Sequence, residues 1–114
     1  MAVQAGPGGP LNFRETLTAV HHTMSSVFPT VFPYRAYIPS FGSAWGFILA
    51  SLGPVPTDLS PEEIDTRLAA RVTRPLLYYD GITNQGLFHL PKYLREGLAQ
   101  EGRLITRDNP LYAT

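Results

Sequence analysis

Residues 37–52 read Y-I-P-S-F-G-S-A-W-G-F-I-L-A-S-L (Tyr37–Leu52), and their reading decides the fold. An extended stretch runs into I-P-S-F, a Gly/Ser loop follows, and Gly46-Phe47-Ile48-Leu49-Ala50 is an apolar run of strand length. The predicted unit is a hairpin: a strand over 31–38, a loop over 39–44 and a strand over 45–52. Phe41 and Trp45 sit in and beside that loop. A pair of rings beside a Gly/Ser loop suits one wall of a small-molecule pocket.

Upstream, Met1–Ala5 is a short apolar piece that runs into Gly6-Pro7-Gly8-Gly9-Pro10, as a strand entering a loop would. Gln4 is its one polar side chain and is expected near the strand's carboxyl end, where open α/β sheets bind ligands. The prolines of the Gly-rich loop remove amide donors that a phosphate cradle needs. From Asn12 to Val27, Phe13, Leu17, Val20, Met24 and Val27 form one helical stripe, with Asn12 as expected N-cap and Glu15 at N3.

Downstream, the linker Gly53-Pro54-Val55-Pro56-Thr57 excludes helix. Ser60-Pro61-Glu62-Glu63 then opens a second helix with Ser at N-cap, Pro at N1 and Glu at N3. Ile64, Leu68 and Val72 are its expected buried stripe. Leu76–Tyr79 is a short apolar piece, Asp80-Gly81 a turn, and Pro91 precedes a last helix over 92–100. Tyr93, Leu94 and Leu98 face inward there, and Leu111-Tyr112 makes an apolar hook in the tail. The order strand, helix, strand, strand, helix, helix predicts an α/β fold. A strand–helix–strand unit favours a parallel pair, to which the hairpin adds an antiparallel strand.

Composition bounds the function. The chain has 114 residues, 44% of them hydrophobic and 16% charged, which is enough for one domain with a modest core. Nine basic and nine acidic residues give zero net charge, against the basic surplus that a nucleic-acid partner favours. Weak self-repulsion at zero charge makes self-association an expectation. With no cysteine there is no disulfide, thiolate nucleophile or Cys-based metal site. No apolar run reaches membrane length and no secretory signal is present, so a cytoplasmic protein is expected. His21 and His22 are adjacent on a helix and point about 100° apart, so they do not share a site. His89 alternates with Phe88 and Leu90 and reads as structural. Asp58, Asp80, Glu62 and Glu63 occupy turns and a helix start, and none forms an acid/base pair.

Three motifs carry a resemblance. They are Met1–Gly6 (M-A-V-Q-A-G), Tyr37–Phe47 (Y-I-P-S-F-G-S-A-W-G-F) and Leu76–Leu94 (L-L-Y-Y-D-G-I-T-N-Q-G-L-F-H-L-P-K-Y-L), followed by a tail at 108–114 (D-N-P-L-Y-A-T). In that order they resemble the C-terminal half of the polyamine aminopropyltransferases, the spermidine synthase family. The resemblance implies the C-terminal half of a Rossmann-like, methyltransferase-type sheet, with residues 1–114 as one partial domain. The family's N-terminal β-domain and nucleotide-binding half would lie outside it.

The family transfers an aminopropyl group from decarboxylated S-adenosylmethionine, its co-substrate, to putrescine, agmatine or a similar amine. The resemblance implies no further cofactor and no metal. It assigns Gln4, Phe41 and Trp45 to the acceptor side and no catalytic residue to this chain, because the family's catalytic Asp and Gly-rich nucleotide loop precede these motifs. The chain alone is therefore expected to be inactive, with activity needing association with the other half or a longer chain. Phe41 stands where many members have Tyr, which removes a hydrogen bond to the attacking amine worth about 1.5–3 kcal/mol. Asn84 or Gln85 stands near a usual His. The rival expectation is a non-catalytic interaction or dimerisation remnant of the family.

Overall fold

The computed structural model describes residues 1–53 and 56–111, Pro56 by its backbone alone. The elements are β1 (Ala2–Pro7), α1 (Leu17–Ser25), β2 (Thr30–Ile38), β3 (Ser43–Ser51), α2 (Pro61–Arg71), α3 (Gly81–Leu87) and α4 (Lys92–Gln100). Parts of the Gly53–Thr57 linker and of the Leu111-Tyr112 hook fall outside the described residues.

The hairpin forms as the sequence predicts. Pro39–Phe41 makes one 3-10 turn, closed by Gly42 at φ 68°, whose amide donates to the Ile38 and Pro39 carbonyls. A left-handed residue there favours glycine, since a side chain costs about 1–2 kcal/mol in that region. The register runs from Ile38 opposite Ser43 to Thr30 opposite Ser51.

The sheet order is β1-β3-β2, and both pairings are antiparallel. This corrects the expected parallel pair. β1 and β2 do point the same way, but β3 inserts between them and takes the hydrogen bonds of both. The helix and hairpin are long enough to carry the chain past a neighbouring position and back, and local sequence does not encode which gap the returning strand fills.

Successive β3 residues face opposite sides. Gly46, Ile48 and Ala50 are buried on the side of α1, where Ala5, Phe13, Leu17, Met24 and Leu94 complete the core. A Cβ on Gly46 would lie 2.6 Å from a Leu17 methyl, so glycine lets the fully buried Leu17 reach the sheet backbone. On the other face Phe47 stacks on Tyr34 at 5.4 Å, and Phe88 packs on Tyr34 at 5.4 Å and on Phe32 at 6.3 Å. α1 and α4 thus cover one face, and α3 covers the β2 side of the other.

Helix ends follow their chemistry where it is local. Ser60 Oγ accepts from the Glu63 amide at 3.2 Å, the cap expected of α2. α4 has the predicted bounds, with Leu94 fully buried and Tyr93 and Leu98 packed on the core. α1 starts at Leu17 and not after Asn12. Residues 10–16 are turns, in which the Asn12 and Phe13 amides both donate to Gly9 O. Thr16 Oγ1 is drawn away to Ala5 O at 2.8 Å, so no side chain caps α1. Val27 and Val72, placed on buried stripes by periodicity, are exposed, because each lies just beyond its helix. α3 is an additional helix: Asp80 caps it by accepting from the Thr83 amide at 2.8 Å. That bond holds the exposed Asp80 carboxyl below the usual carboxylate range.

The chain after α4 is tied back to α1. Thr18, fully buried, donates to Glu101 Oε1 at 2.7 Å, and Arg103 pairs with the same carboxylate and donates to Arg14 O. The Ile105 amide donates to Thr23 Oγ1 at 2.9 Å. The Arg103 hydrogen bond, helped by Thr18 and opposed by burial, lowers the Glu101 pKa to about 2.

Candidate functional site

β1 and β2 end at the same end of the sheet, where β3 begins, so Pro7, Ile38 and Ser43 mark one rim. Trp45 lies opposite Pro7 on one side and Ala36 on the other. Phe41, from the turn above it, reaches its ring at 4.3 Å between centroids and 36° between planes. The structure therefore brings two of the three predicted site residues into direct contact at the carboxyl ends of β1 and β2. Phe41 is 48% exposed, so the pair presents a ring to its surroundings and is not core packing. The Trp45 indole Nε1 is buried and finds no acceptor among the described residues.

Gln4 is exposed and stands opposite Phe47, in mid-strand and not at the strand end, because β1 continues through Gly6 and Pro7 after a bulge. Pairing and alternation place it on the face that carries Phe47, Tyr34 and Trp45. One strand across and two residues along from Trp45, its backbone lies about 8 Å away. Gln4 and Trp45 thus share a face of the sheet, Gln4 further from the rim, and only Phe41 and Trp45 touch.

Sequence reading missed Tyr34 and Phe47, whose stacked rings continue the aromatic face away from Trp45. The signal was present in Phe32-Pro33-Tyr34, where alternate positions are aromatic. It also missed the fixing of the loop behind the rim. Tyr93 Oη donates to Gly8 O at 2.7 Å, and Arg35 donates to Gly8 O at 3.1 Å and to Tyr93 Oη at 2.8 Å. A Cβ on Gly8 would lie 2.9 Å from Arg35 Cδ, so glycine admits the guanidinium stem. Gly8-Gly9 is thereby a braced structural loop.

The remaining candidates lie elsewhere. Asn84 accepts from Tyr79 Oη at 2.7 Å, and burial raises the Tyr79 pKa. Burial, and then the neighbouring His22, lowers the His21 pKa. His89 is exposed beyond α3. Among the described residues no three His, Cys, Asp or Glu groups converge to hold a metal, and no helix is long and apolar enough to cross a membrane.

The three-stranded antiparallel sheet with its helices is an α/β unit of Rossmann-like, methyltransferase type. Solved structures that share it include two spermidine synthases. Spermidine synthase from Thermotoga maritima has a TM-score of 0.68 at 18% identity, over 88% of this chain and 34% of that one. A spermidine synthase in complex with the transition state analogue AdoDATO has a TM-score of 0.67 at 19% identity, over 88% of this chain and 32% of that one. No family model matches the chain. A polyamine aminopropyltransferase of Sulfolobus acidocaldarius is 41% identical over 97 residues, which is 85% of this chain and 32% of the relative. The chain matches the C-terminal part of the polyamine aminopropyltransferases. It spans about a third of the length of the curated relatives it matches.

Proposed function

We propose that this chain supplies the acceptor-side wall of an aminopropyl transfer from decarboxylated S-adenosylmethionine to a small diamine such as putrescine or agmatine. The observation that carries the reading is the Phe41–Trp45 pair, in contact at 4.3 Å where β1 and β2 end, with Gln4 on the same sheet face. Ring faces attract an ammonium by about 0.5–2 kcal/mol and pack against its methylene chain. The Gln4 amide offers an acceptor to an ammonium or a donor to a neutral amine. Together they would hold one end of a diamine and aim the other.

In the step itself, the lone pair of the neutral amine attacks the propyl carbon bonded to the sulfonium. The new C–N bond forms as the C–S bond breaks, and sulfur leaves with the bonding pair as a neutral thioether. The nitrogen then sheds a proton to a carboxylate. Under this reading residues 1–114 are one partial domain, and the carboxylate and nucleoside contacts come from the part of the relatives outside the match. The chain's share is orientation, which lowers the entropic cost of bringing two reactants into line. Phe41 offers no hydroxyl to the attacking nitrogen, so alignment there rests on shape and on Gln4.

The test mixes this chain with the N-terminal two thirds of the Sulfolobus relative and follows release of methylthioadenosine. Product that depends on both parts, and that falls with Trp45→Ala, supports the reading. No product at any ratio, with no saturable heat on titrating putrescine, agmatine or spermidine into the chain, sinks it.

A second reading, a non-catalytic interaction module, is favoured by one feature. Leu76, Leu77, Tyr78 and Ile82 are exposed side by side around the α2–α3 connection, Leu77 fully so. Self-association that is lost on Leu77→Ser, together with silent amine titrations, would support that module.

A further inference from the structure

A cavity lies away from the rim. It opens between α3 and the early part of β2, has a volume of about 280 Å³, and is walled by Phe32, Phe88 and Leu59 with Asn84, Gln85 and His89 at its polar side. Phe32 pairs with Leu49, four residues along β3 from Trp45, so the cavity sits about 13 Å along the sheet from the aromatic pair. Neither Phe41, Trp45 nor Gln4 lines it.

The geometry points to a second binding site, for an uncharged flat heteroaromatic ring that carries a hydrogen-bond acceptor on its edge. Three observations carry this. First, no Asp, Glu, Lys or Arg is among the described residues that line the cavity, so an ionic ligand finds no fixed countercharge. A buried charge without a partner is costly, and a neutral ligand avoids that cost. Second, Phe32 and Phe88 meet edge to face at 90° and 6.3 Å, leaving ring surface for a third ring to pack on. At ~30 Å³ per water, the cavity holds about nine waters, the scale of one bicyclic ring with clearance.

Third, the Asn84 amide is oriented. Its Oδ1 accepts from Tyr79 Oη at 2.7 Å, which orients the amide, and its NH₂ donates to no partner among the described residues. Asn84 also lines the adjoining cleft of about 350 Å³ with Tyr79, so it stands at the junction of the two spaces. A fixed donor selects ligands with an acceptor in reach, and Gln85 and His89 can pair with a neighbouring edge group. This recognition uses none of the residues of the amine wall.

The test titrates adenine, a neutral bicyclic ring with edge acceptors, into the ¹⁵N-labelled chain. Indole serves as a control of similar size without a ring acceptor. The expected result is saturable adenine shifts confined to residues 32–33, 57–59 and 84–90, with indole weaker. Asn84→Asp still accepts from Tyr79 but loses the donor, and should weaken adenine about tenfold. The exposed Gln85→Ala serves as a second variant should Asn84→Asp lose its dispersed spectrum, and should also weaken adenine. Absent saturation, unchanged affinity in the folded variants, or shifts centred on residues 41–45 would each overturn the proposal.

Discussion

Gly97→Ala tests how tightly α4 is seated on α1. Gly97 is buried in mid-α4, and a Cβ built there lies 2.2 Å from Phe13 Cε2, 3.0 Å from Cδ2 and 3.2 Å from Cζ. Ordinary carbon contacts are about 3.5–4.0 Å, so the ring must retreat by more than ~1 Å. It has little room, because Phe13 is 7% exposed and packs on Tyr93 at 5.1 Å. Overpacking of this kind costs about 1–3 kcal/mol. Alanine returns about 1 kcal/mol of helix propensity over glycine. The expected net effect is a loss of up to about 2 kcal/mol in urea unfolding followed by far-ultraviolet circular dichroism and Trp45 fluorescence. In a Phe13→Leu background the offending ring atoms are gone, so the same Gly97→Ala change should be neutral or stabilising by up to ~1 kcal/mol. A cycle of the four proteins isolates that reversal as a coupling. If Gly97→Ala stabilises the unmodified chain, or costs the same in both backgrounds, the seating of α4 on Phe13 described above is incorrect.

Three further outcomes follow from other contacts. Glu101→Gln should lose about 1.5 kcal/mol at pH 7, toward the lower end for bonds to a charged group because Arg103 is half exposed. The Glu101 pKa is lowered from 4.5 to about 2, so its contribution is complete above about pH 4.5 and fades as pH falls toward 2. Melts at pH 5 and pH 3 should therefore shift more for the unmodified chain than for Glu101→Gln. Ser60→Ala removes the α2 cap and should cost about 1 kcal/mol by urea unfolding, with Ser60→Asp restoring most of it. Phe41→Ala should weaken putrescine binding about 2- to 30-fold by calorimetry, the range of a cation–ring contact, and an unchanged affinity would remove Phe41 from the amine wall.

What the sequence made legible was what neighbouring residues decide among themselves. Ser60-Pro61-Glu62-Glu63 announces α2 because its cap closes within four residues. Lys92–Gln100 is bounded by Pro91 and the stripe of Leu94 and Leu98. The β2–β3 hairpin and the Phe41–Trp45 contact lie within one local unit. Asn12 misled because its cap signature competes with Gly9 O, which captures the Asn12 and Phe13 amides, and because Thr16 is used by Ala5, 11 residues back along the chain. α3 hid behind Gly81 and Gly86, poor helix formers that mask the Asp80–Thr83 cap. The glycine at 81 is dictated from outside its helix, since a Cβ there would lie 2.0 Å from Pro61 O. The strand order and the bracing of Gly8 by Arg35 and Tyr93 join residues far apart in sequence, and no local pattern reports such partners.

The central position of β3 has a consequence for biosynthesis. Of the three described strands β1 leaves the ribosome first, yet it is hydrogen-bonded to β3, with Ala2 opposite Leu49 and Val3 opposite Ile48. At about 5–20 residues per second, β1 waits roughly 2–10 s before Leu49 is even joined to the chain. The β2–β3 hairpin closes locally within microseconds of emerging. It then offers β3's free edge as the only described strand to which β1 is paired in the finished sheet. Of the three described strands, the first to be translated thus waits for the last, and codons that slow translation between Ser26 and Ser51 would lengthen the interval in which β1 lacks its β3 partner.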